Sequence, residues 1–180
     1  MKKIFTIIFC NALVILSAQD LKFDQVIKID STTTKMELFN RARSWAKENY
    51  NSKNNYIITE DPNYGEISGT GIMDYRTNNK YRGYSCVEGS IKYSFSIYVK
   101  DGKYKYLFNA FDHKGSAGNL CRAGNFGRVS QNSEAPSIGK GIAYEAALQD
   151  VREKIATKIK ALITSIELGM SKKYEGSNDW

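Results

Sequence analysis

The pattern of apolar and polar residues predicts two amphipathic helices separated by a series of β-strands. A segment that alternates between the two residue types, from Phe23 to Asp30, predicts the first strand. Thr34 and Glu37 then have the spacing of a capping box, so a helix is expected from about Lys35 to Tyr50. The apolar stripe of this helix consists of Leu38, Phe39, Ala42, Trp45 and Ala46.

The middle of the chain has the pattern of strands joined by tight turns. Tyr56 to Glu60 is rich in β-branched residues, and Glu66 to Tyr75 alternates between apolar or small residues and polar ones. Between them, Asp61-Pro62-Asn63-Tyr64-Gly65 combines a proline that restricts φ with a glycine that accepts positive φ, which predicts a turn. Gly69 and Gly71 favour a bulge or the close approach of another backbone.

The clearest local pattern is a hairpin around Asp101-Gly102, a dipeptide that favours a type I′ turn. The predicted strands are Ile91 to Lys100 and Lys103 to Phe111, with Lys100 opposite Lys103. One face of this hairpin is apolar and is expected to face the core, with Tyr93, Phe95, Ile97, Val99, Tyr104, Tyr106, Phe108 and Ala110. The other face is expected to be solvated, with Lys92, Ser94, Ser96, Tyr98, Lys100, Lys103, Lys105, Leu107, Asn109 and Phe111.

A long segment and a second helix follow the hairpin. Residues 112–141 are rich in Gly, Asn and Ser, and they predict a functional or partly mobile loop. A helix is then expected from about Ile142 to Leu168, before a polar tail at 171–180. Its stripe is Tyr144, Leu148, Val151, Ile155, Ile159, Leu162 and Ile166, and charged residues cover the remaining surface.

The N-terminus has the pattern of a cleavable signal peptide. Lys2 and Lys3 precede an apolar run from Ile4 to Leu16, and Ala18 supplies a small residue for cleavage. The run is shorter than the ~18 residues that a transmembrane helix needs, and no later segment approaches that length. We therefore expect a signal peptide at 1–18, a single exported domain at 19–170, and a location in the periplasm or at the cell surface.

The order of predicted elements, β-α-β-β-β-β-α, indicates an α+β fold. We expect an antiparallel sheet of about five strands with two helices packed on one face and the other face open. Five segments carry a resemblance to a known family: Phe23-x-x-Val26-Ile27-x-Ile29, Glu37-Leu38-Phe39 with Trp45, Gly65-x-Ile67-x-Gly69-x-Gly71, Tyr93-x-Phe95-x-Ile97 and Lys100-Asp101-Gly102-Lys103-Tyr104.

On these segments the chain resembles a family of uncharacterised exported proteins of Bacteroidota, described as a domain of unknown function with a TBP-like fold. The resemblance covers most of the chain after the signal peptide and excludes the loop around Cys121. It implies a fold and a compartment. It implies no activity and no DNA binding.

Charge and composition suggest a binding surface on the open face. The formal net charge of +7 falls to +5 without Lys2 and Lys3, a moderate excess, and an exported protein rarely meets nucleic acid. The candidate ligand-binding residues are Lys92, Tyr98, Lys100, Lys103 and Lys105, which suit an acidic glycan, a peptide or an envelope protein. Lysines that protect an exposed sheet from aggregation explain the same composition.

A hydrolase is the alternative function, with a site around His113 and Cys121 as base and nucleophile. Against it, Cys121 has a candidate disulfide partner, and a single surface histidine is common. We therefore favour a binding or assembly module without catalytic residues. One histidine and two cysteines lack the close spacing of a zinc site, so neither a metal nor a cofactor is expected.

Cys86 and Cys121 remain after removal of the signal peptide, which takes Cys10 with it. The hairpin register, extended backwards, places Cys86 opposite Ala117, four positions from Cys121. We predict a disulfide between them, since export favours oxidation. It would contribute roughly 3–4 kcal/mol by constraining the unfolded chain. Thiol titration of the denatured, unreduced protein is expected to find no free thiol; two free thiols would exclude the bond.

Overall fold

The computed structural model describes residues 20–77, 84–117, 122–132 and 142–173. Several sequence predictions lie outside these ranges. They are the signal peptide at 1–18, Cys121, the parts 118–120 and 133–141 of the predicted loop, and most of the polar tail.

The first strand and helix form as predicted. β1 covers Phe23–Lys28 and α1 covers Lys35–Asn49. Thr34 caps the helix, because its hydroxyl oxygen accepts a hydrogen bond from the N–H of Glu37 at 3.2 Å. All five residues of the predicted stripe are buried: Leu38, Phe39, Ala42, Trp45 and Ala46.

β2, Tyr56–Asp61, and β3, Glu66–Tyr75, are joined by the predicted turn. The Asp61 carboxylate accepts hydrogen bonds from the next backbone N–H groups, and Gly65 has φ +70°. A register shift after Ile57 places a bulge in β2. A side chain on Gly69 would collide with the carbonyl oxygen of Tyr56, which confirms the expected close approach of another backbone at this residue. At Gly71 the close neighbour is the side chain of Tyr93.

β4, Gly89–Lys100, and β5, Lys103–Gly115, form the predicted hairpin, and Gly102 has φ +67°. The predicted pairing is confirmed from Lys100 opposite Lys103 to Ser94 opposite Asn109. The core face is also confirmed over this range, because Phe95, Ile97, Val99, Tyr104, Tyr106 and Phe108 are all buried.

Beyond Asn109 the predicted register is wrong, because β5 contains a bulge. Ala110 has φ +60°, and the next pair joins Lys92 to Asp112 rather than to Phe111. The extra residue reverses the alternation, so Phe111 and His113 face the core. Phe111 is fully buried, although its predicted place was on the solvated face.

Two short elements were not predicted: α2, Tyr84–Val87, and β6, Gly127–Arg128. β6 pairs with β5 at Asp112 and His113. Because β5 runs on to Gly115, the first residues of the predicted loop 112–141 are strand.

α3 covers Ile142–Ser171 and buries its predicted stripe from Leu148 onwards: Leu148, Val151, Ile155, Ile159, Leu162 and Ile166. Side-chain hydrogen bonds anchor α3 to the sheet and to α1. The Tyr75 hydroxyl donates to the carboxylate of Asp150 at 2.6 Å, and the Trp45 indole N–H donates to the hydroxyl of Ser165 at 2.9 Å.

The strand order is β1-β5-β4-β3-β2, with β6 beside β1 on the same edge of β5, and every pairing is antiparallel. α1 and α3 pack together over the core side of the sheet. There the rings of Tyr50 and Phe95 stack with centroids 3.8 Å apart, and Trp45 meets Phe95 edge-on at 6.2 Å. The predicted α+β fold is confirmed, with α2 and β6 added.

The positive φ of Ala110 in the bulge is expected to strain the backbone, which two substitutions can test. Ala110→Gly is expected to raise the free energy of unfolding by about 0.5–1 kcal/mol, since glycine adopts positive φ without a Cβ clash. Ala156→Gly, on the exposed side of α3, is expected to lower it by about 1 kcal/mol. Urea denaturation measures both. Equal losses in the two variants would contradict the strain at Ala110.

Candidate functional site

Side chains that point away from the helices form the open face of the sheet. Pairing of β1 and β4 with β5 aligns two rows on this face: Lys28–Lys103–Lys100, and Val26–Lys105–Tyr98. We call Lys28, Tyr98, Lys100, Lys103 and Lys105 together the lysine–tyrosine patch.

The patch surrounds a shallow depression of about 270 Å³. Its lining is Val26, Tyr98, Lys100, Lys103, Tyr104 and Lys105. Tyr98 is 37% exposed, so part of its ring is accessible to a ligand. Four of the five residues predicted from the sequence are thus brought together.

The lysines of the patch differ in their electrostatic partners. The ammonium of Lys105 lies 3.1 Å from the carboxylate of Asp24, and Lys22 lies 3.7 Å from it. The hydrogen bond from Lys105 is the largest cause that lowers the pKa of Asp24. Lys28, Lys100 and Lys103 form no ion pair within the described ranges, so they supply the positive charge of the patch.

Lys92 lies on the same face but does not join the patch. It is six residues before Tyr98, which along a strand corresponds to about 20 Å. Its cross-strand neighbours are Asp112 and Ile72. The predicted set of five is therefore corrected to four, and the carboxylate residue Glu66, opposite Tyr98, borders the patch on the β3 side.

Sequence reasoning missed Lys28 and Val26. The alternation of Phe23–Lys28 indicates that residues 24, 26 and 28 share one face. The strand against which they lie depends on a pairing between segments about eighty residues apart. No local pattern in the chain specifies that pairing.

His113 is a core residue, not the surface histidine that was predicted. It is 1% exposed, because the Ala110 bulge turns it inward. Its Nε2 lies 2.8 Å from the carbonyl oxygen of Val87, and its Nδ1 accepts a hydrogen bond from the N–H of Phe126 at 3.2 Å. The ring also contacts Tyr75 and Phe126, with centroids 5.5 and 4.8 Å away.

These contacts define the state of the imidazole. A carbonyl oxygen only accepts hydrogen bonds, so Nε2 carries a proton. Nδ1 accepts a hydrogen bond and therefore carries none, so the ring is neutral. Burial lowers the pKa of His113, which also favours the neutral form. Both nitrogens are engaged in holding α2 and the segment before β6, so His113 has no nitrogen available to activate a thiol.

Cys86 is fully buried in α2, and its surroundings support the predicted disulfide. The N–H of Gly124 donates to the carbonyl oxygen of Cys86 at 2.8 Å. Gly124 is three residues after Cys121, so the chain returns to Cys86 close to that position. Cys121 itself lies outside the described residues, and the bond stays a prediction.

Among the described residues, no three His, Cys, Asp or Glu side chains converge as a metal site would require. No helix in those ranges combines the length and apolar character needed to cross a membrane.

The model for a domain of unknown function with a TBP-like fold (DUF4468) matches residues 23–114. The chain belongs to this family. The match runs from the first residue of β1 to Lys114 of β5, so it contains the whole lysine–tyrosine patch and His113.

Solved structures agree with this DUF4468 assignment. A TBP-like protein from Parabacteroides distasonis superposes with a TM-score of 0.60 at 15% identity, covering 82% of this chain and 93% of its own. A DUF4468 family protein from Bacteroides ovatus gives a TM-score of 0.56 at 10% identity, with coverages of 85% and 87%. At such identities the likeness shows the fold alone. No curated protein matches the chain.

The buried, neutral His113 predicts a pH dependence of stability. Because its pKa is lowered from 6.5 in the fold, the unfolded chain binds more protons below pH 6.5. The contribution of His113 to the free energy of unfolding is therefore fully present above pH 6.5. Below pH 6.5 the free energy of unfolding falls, by at most about 1.4 kcal/mol per pH unit. Denaturation between pH 5 and 8 measures the slope, which His113→Gln is expected to remove.

Asp24→Asn is the matched control for this measurement. The pKa of Asp24 is lowered from 3.8, so its contribution is lost only as the pH falls below that value. The slope between pH 5 and 6.5 is expected to persist in Asp24→Asn. An unchanged slope in His113→Gln would contradict the assignment to His113.

Proposed function

We propose that this DUF4468 protein is an exported, non-enzymatic binding module of the bacterial envelope, and that its lysine–tyrosine patch binds an acidic glycan. Export rests on the charged, apolar and small-residue pattern of residues 1–18. The location, periplasm or cell surface, follows from export. The observation that carries the binding proposal is the row Lys28–Lys103–Lys100 beside Tyr98.

A row of three like charges opposes folding rather than favouring it. Like charges directly opposite each other on neighbouring strands are destabilising. A bound carboxylate or sulfate would relieve this repulsion, so the row favours an anionic ligand.

Protection against aggregation is the competing explanation for exposed lysines. That protection is needed at the edge strands of a sheet, where backbone groups are unpaired. Lys28 lies on such an edge, and Lys100 lies at the end of β4, beyond its last pair with β3 at Tyr98. Lys103, however, pairs with Lys28 on one side and with Lys100 on the other, so edge protection does not account for this lysine.

The chemistry of the depression matches a sugar acid. Tyr98 offers an aromatic surface for the apolar side of a sugar ring, and the lysine ammonium groups are donors for its carboxylate. A hydrolase at His113 gains no support, since its ring nitrogens hold backbone groups.

The test neutralises the patch and measures glycan binding. Lys100→Gln with Lys103→Gln is expected to weaken binding of oligogalacturonate about tenfold or more, because two of the three lysines without an ion pair are lost. Stability is expected to change by no more than about ±0.5 kcal/mol, since both residues are exposed. Titration calorimetry at two salt concentrations measures the affinity.

Lys92→Gln with Lys114→Gln is the matched control. Both lysines are exposed on the same face and the loss of charge is identical, but they lie at the far end of β4 and β5. This variant is expected to bind like the wild type. Equal weakening in both variants would indicate attraction by net charge alone, and absence of binding by the wild type would exclude the glycan.

A further inference from the structure

β3 is longer than the strand beside it. β2 pairs with β3 only from Glu66 to Thr70, while β4 pairs with it from Glu66 to Tyr75. Over Gly71–Tyr75, none of the described strands pairs with the outer edge of β3.

The backbone of this edge points alternately inward and outward. The N–H of Val99 donates to the carbonyl oxygen of Gly65, so the odd-numbered residues of β3 bond to β4. The even-numbered residues therefore direct their backbone groups outward. Consistent with this, the N–H of Ile72 donates to the side-chain oxygen of Asn55 at 2.8 Å, where a strand would otherwise accept. Asp74 is the next outward residue.

A groove follows this edge beneath α3. It has a volume of about 580 Å³, within the ~300–1,000 Å³ of ligand pockets. One wall is the edge of β3 with Asn49 and Asn55, and the other is one face of α3 with Lys154, Thr157, Lys158, Ala161 and Leu162. Met73, Tyr93 and Leu162 are nearly buried and form an apolar floor.

The charge of the α3 wall selects among peptides. Lys154 and Lys158 are one helical turn apart, and both line the groove. No described carboxylate lies within salt-bridge distance of either ammonium. Asp74 is the one acidic residue that the described lining contains, so the wall facing a bound chain is mainly basic.

We propose that the edge of β3 at Gly71–Tyr75 and the facing wall of α3 bind an extended peptide that adds a strand to the sheet and places acidic side chains against Lys154 and Lys158. Strand addition uses the backbone groups of Ile72 and Asp74 for affinity, and the pockets beside them for specificity. This site is separate from the lysine–tyrosine patch and does not depend on the function proposed there.

The experiment selects peptides and then locates their binding. The purified protein is presented with a phage-displayed library of random decapeptides, and enriched sequences are synthesised with a fluorescent label for anisotropy. We expect enrichment of peptides with acidic residues at alternate positions. We also expect these peptides to slow hydrogen exchange of the Asp74 N–H, which contact with the lysines alone would not do.

Two pairs of variants separate backbone pairing from charge. Asp74→Pro removes the outward N–H, a change that an edge strand tolerates, and is expected to weaken binding about tenfold. Asp74→Ala keeps the N–H and is expected to bind no more weakly than the wild type. Lys154→Gln with Lys158→Gln is expected to weaken binding about tenfold, and Lys47→Gln with Lys160→Gln, exposed elsewhere on α1 and α3, is expected to leave it unchanged.

Three outcomes would overturn the proposal. The first is the absence of any enriched peptide. The second is enriched peptides that leave exchange at Asp74 and affinity in Lys154→Gln with Lys158→Gln unchanged. The third is protection of Asp74 that rises with protein concentration in the absence of peptide, together with dimerisation in sedimentation experiments, which would assign the edge to a second copy of the chain.

Discussion

The β-bulge at Ala110 determines which side of the sheet each later residue of β5 faces. Before it, the even-numbered residues Tyr104, Tyr106 and Phe108 enter the core; after it, the odd-numbered Phe111 and His113 do. Without the extra residue, Phe111 would lie in water and Asp112 among the aromatic side chains of the core. Burial of an unpaired carboxylate is costly enough to exclude that arrangement. The cost of positive φ at Ala110, about 1–2 kcal/mol, is smaller than the cost of the alternative.

The Asp101-Gly102 turn joins this hairpin to α1. The Asp101 carboxylate accepts the first N–H of the helix, from Lys35, at 2.6 Å, where a negative charge also suits the helix dipole. Gly102 bonds through its N–H to the carbonyl oxygen of Thr33 and through its carbonyl oxygen to the N–H of Ile29. The residues that set the hairpin register therefore also position the end of β1 and the start of α1. The same turn thus fixes where β1, on the open face, and α1, over the core, lie relative to the hairpin.

Local sequence patterns predicted the features that interactions between residues close in the chain determine. The Asp101-Gly102 dipeptide specified the register as far as Asn109, and Thr34 with Glu37 specified where α1 begins. The bulge was missed because alanine at 110 carries no signal for positive φ, in contrast to glycine. That one error placed Phe111 on the wrong face, and the strand predicted to end at Phe111 left His113 in the predicted loop. Lys28 and the edge of β3 were missed because strand order and strand ends depend on distant pairings.

Two edges of the sheet, that of β1 and that of β3 beyond its pairing with β2, are protected in different ways. On β1, charged side chains guard the edge, with Lys22, Asp24 and Lys28 exposed along it. On β3, the described stretch from Gly71 to Tyr75 has no lysine or proline. There the side chain of Asn55 bonds one N–H and α3 stands across a groove. Charged side chains along an edge strand oppose the addition of another strand. The Asn55 side chain, in contrast, occupies one hydrogen-bonding position of a strand, and an added strand can displace it. The edge of β3 is therefore covered by one side chain and faced by α3 across a groove, which is the arrangement that the proposed addition of one extended chain requires.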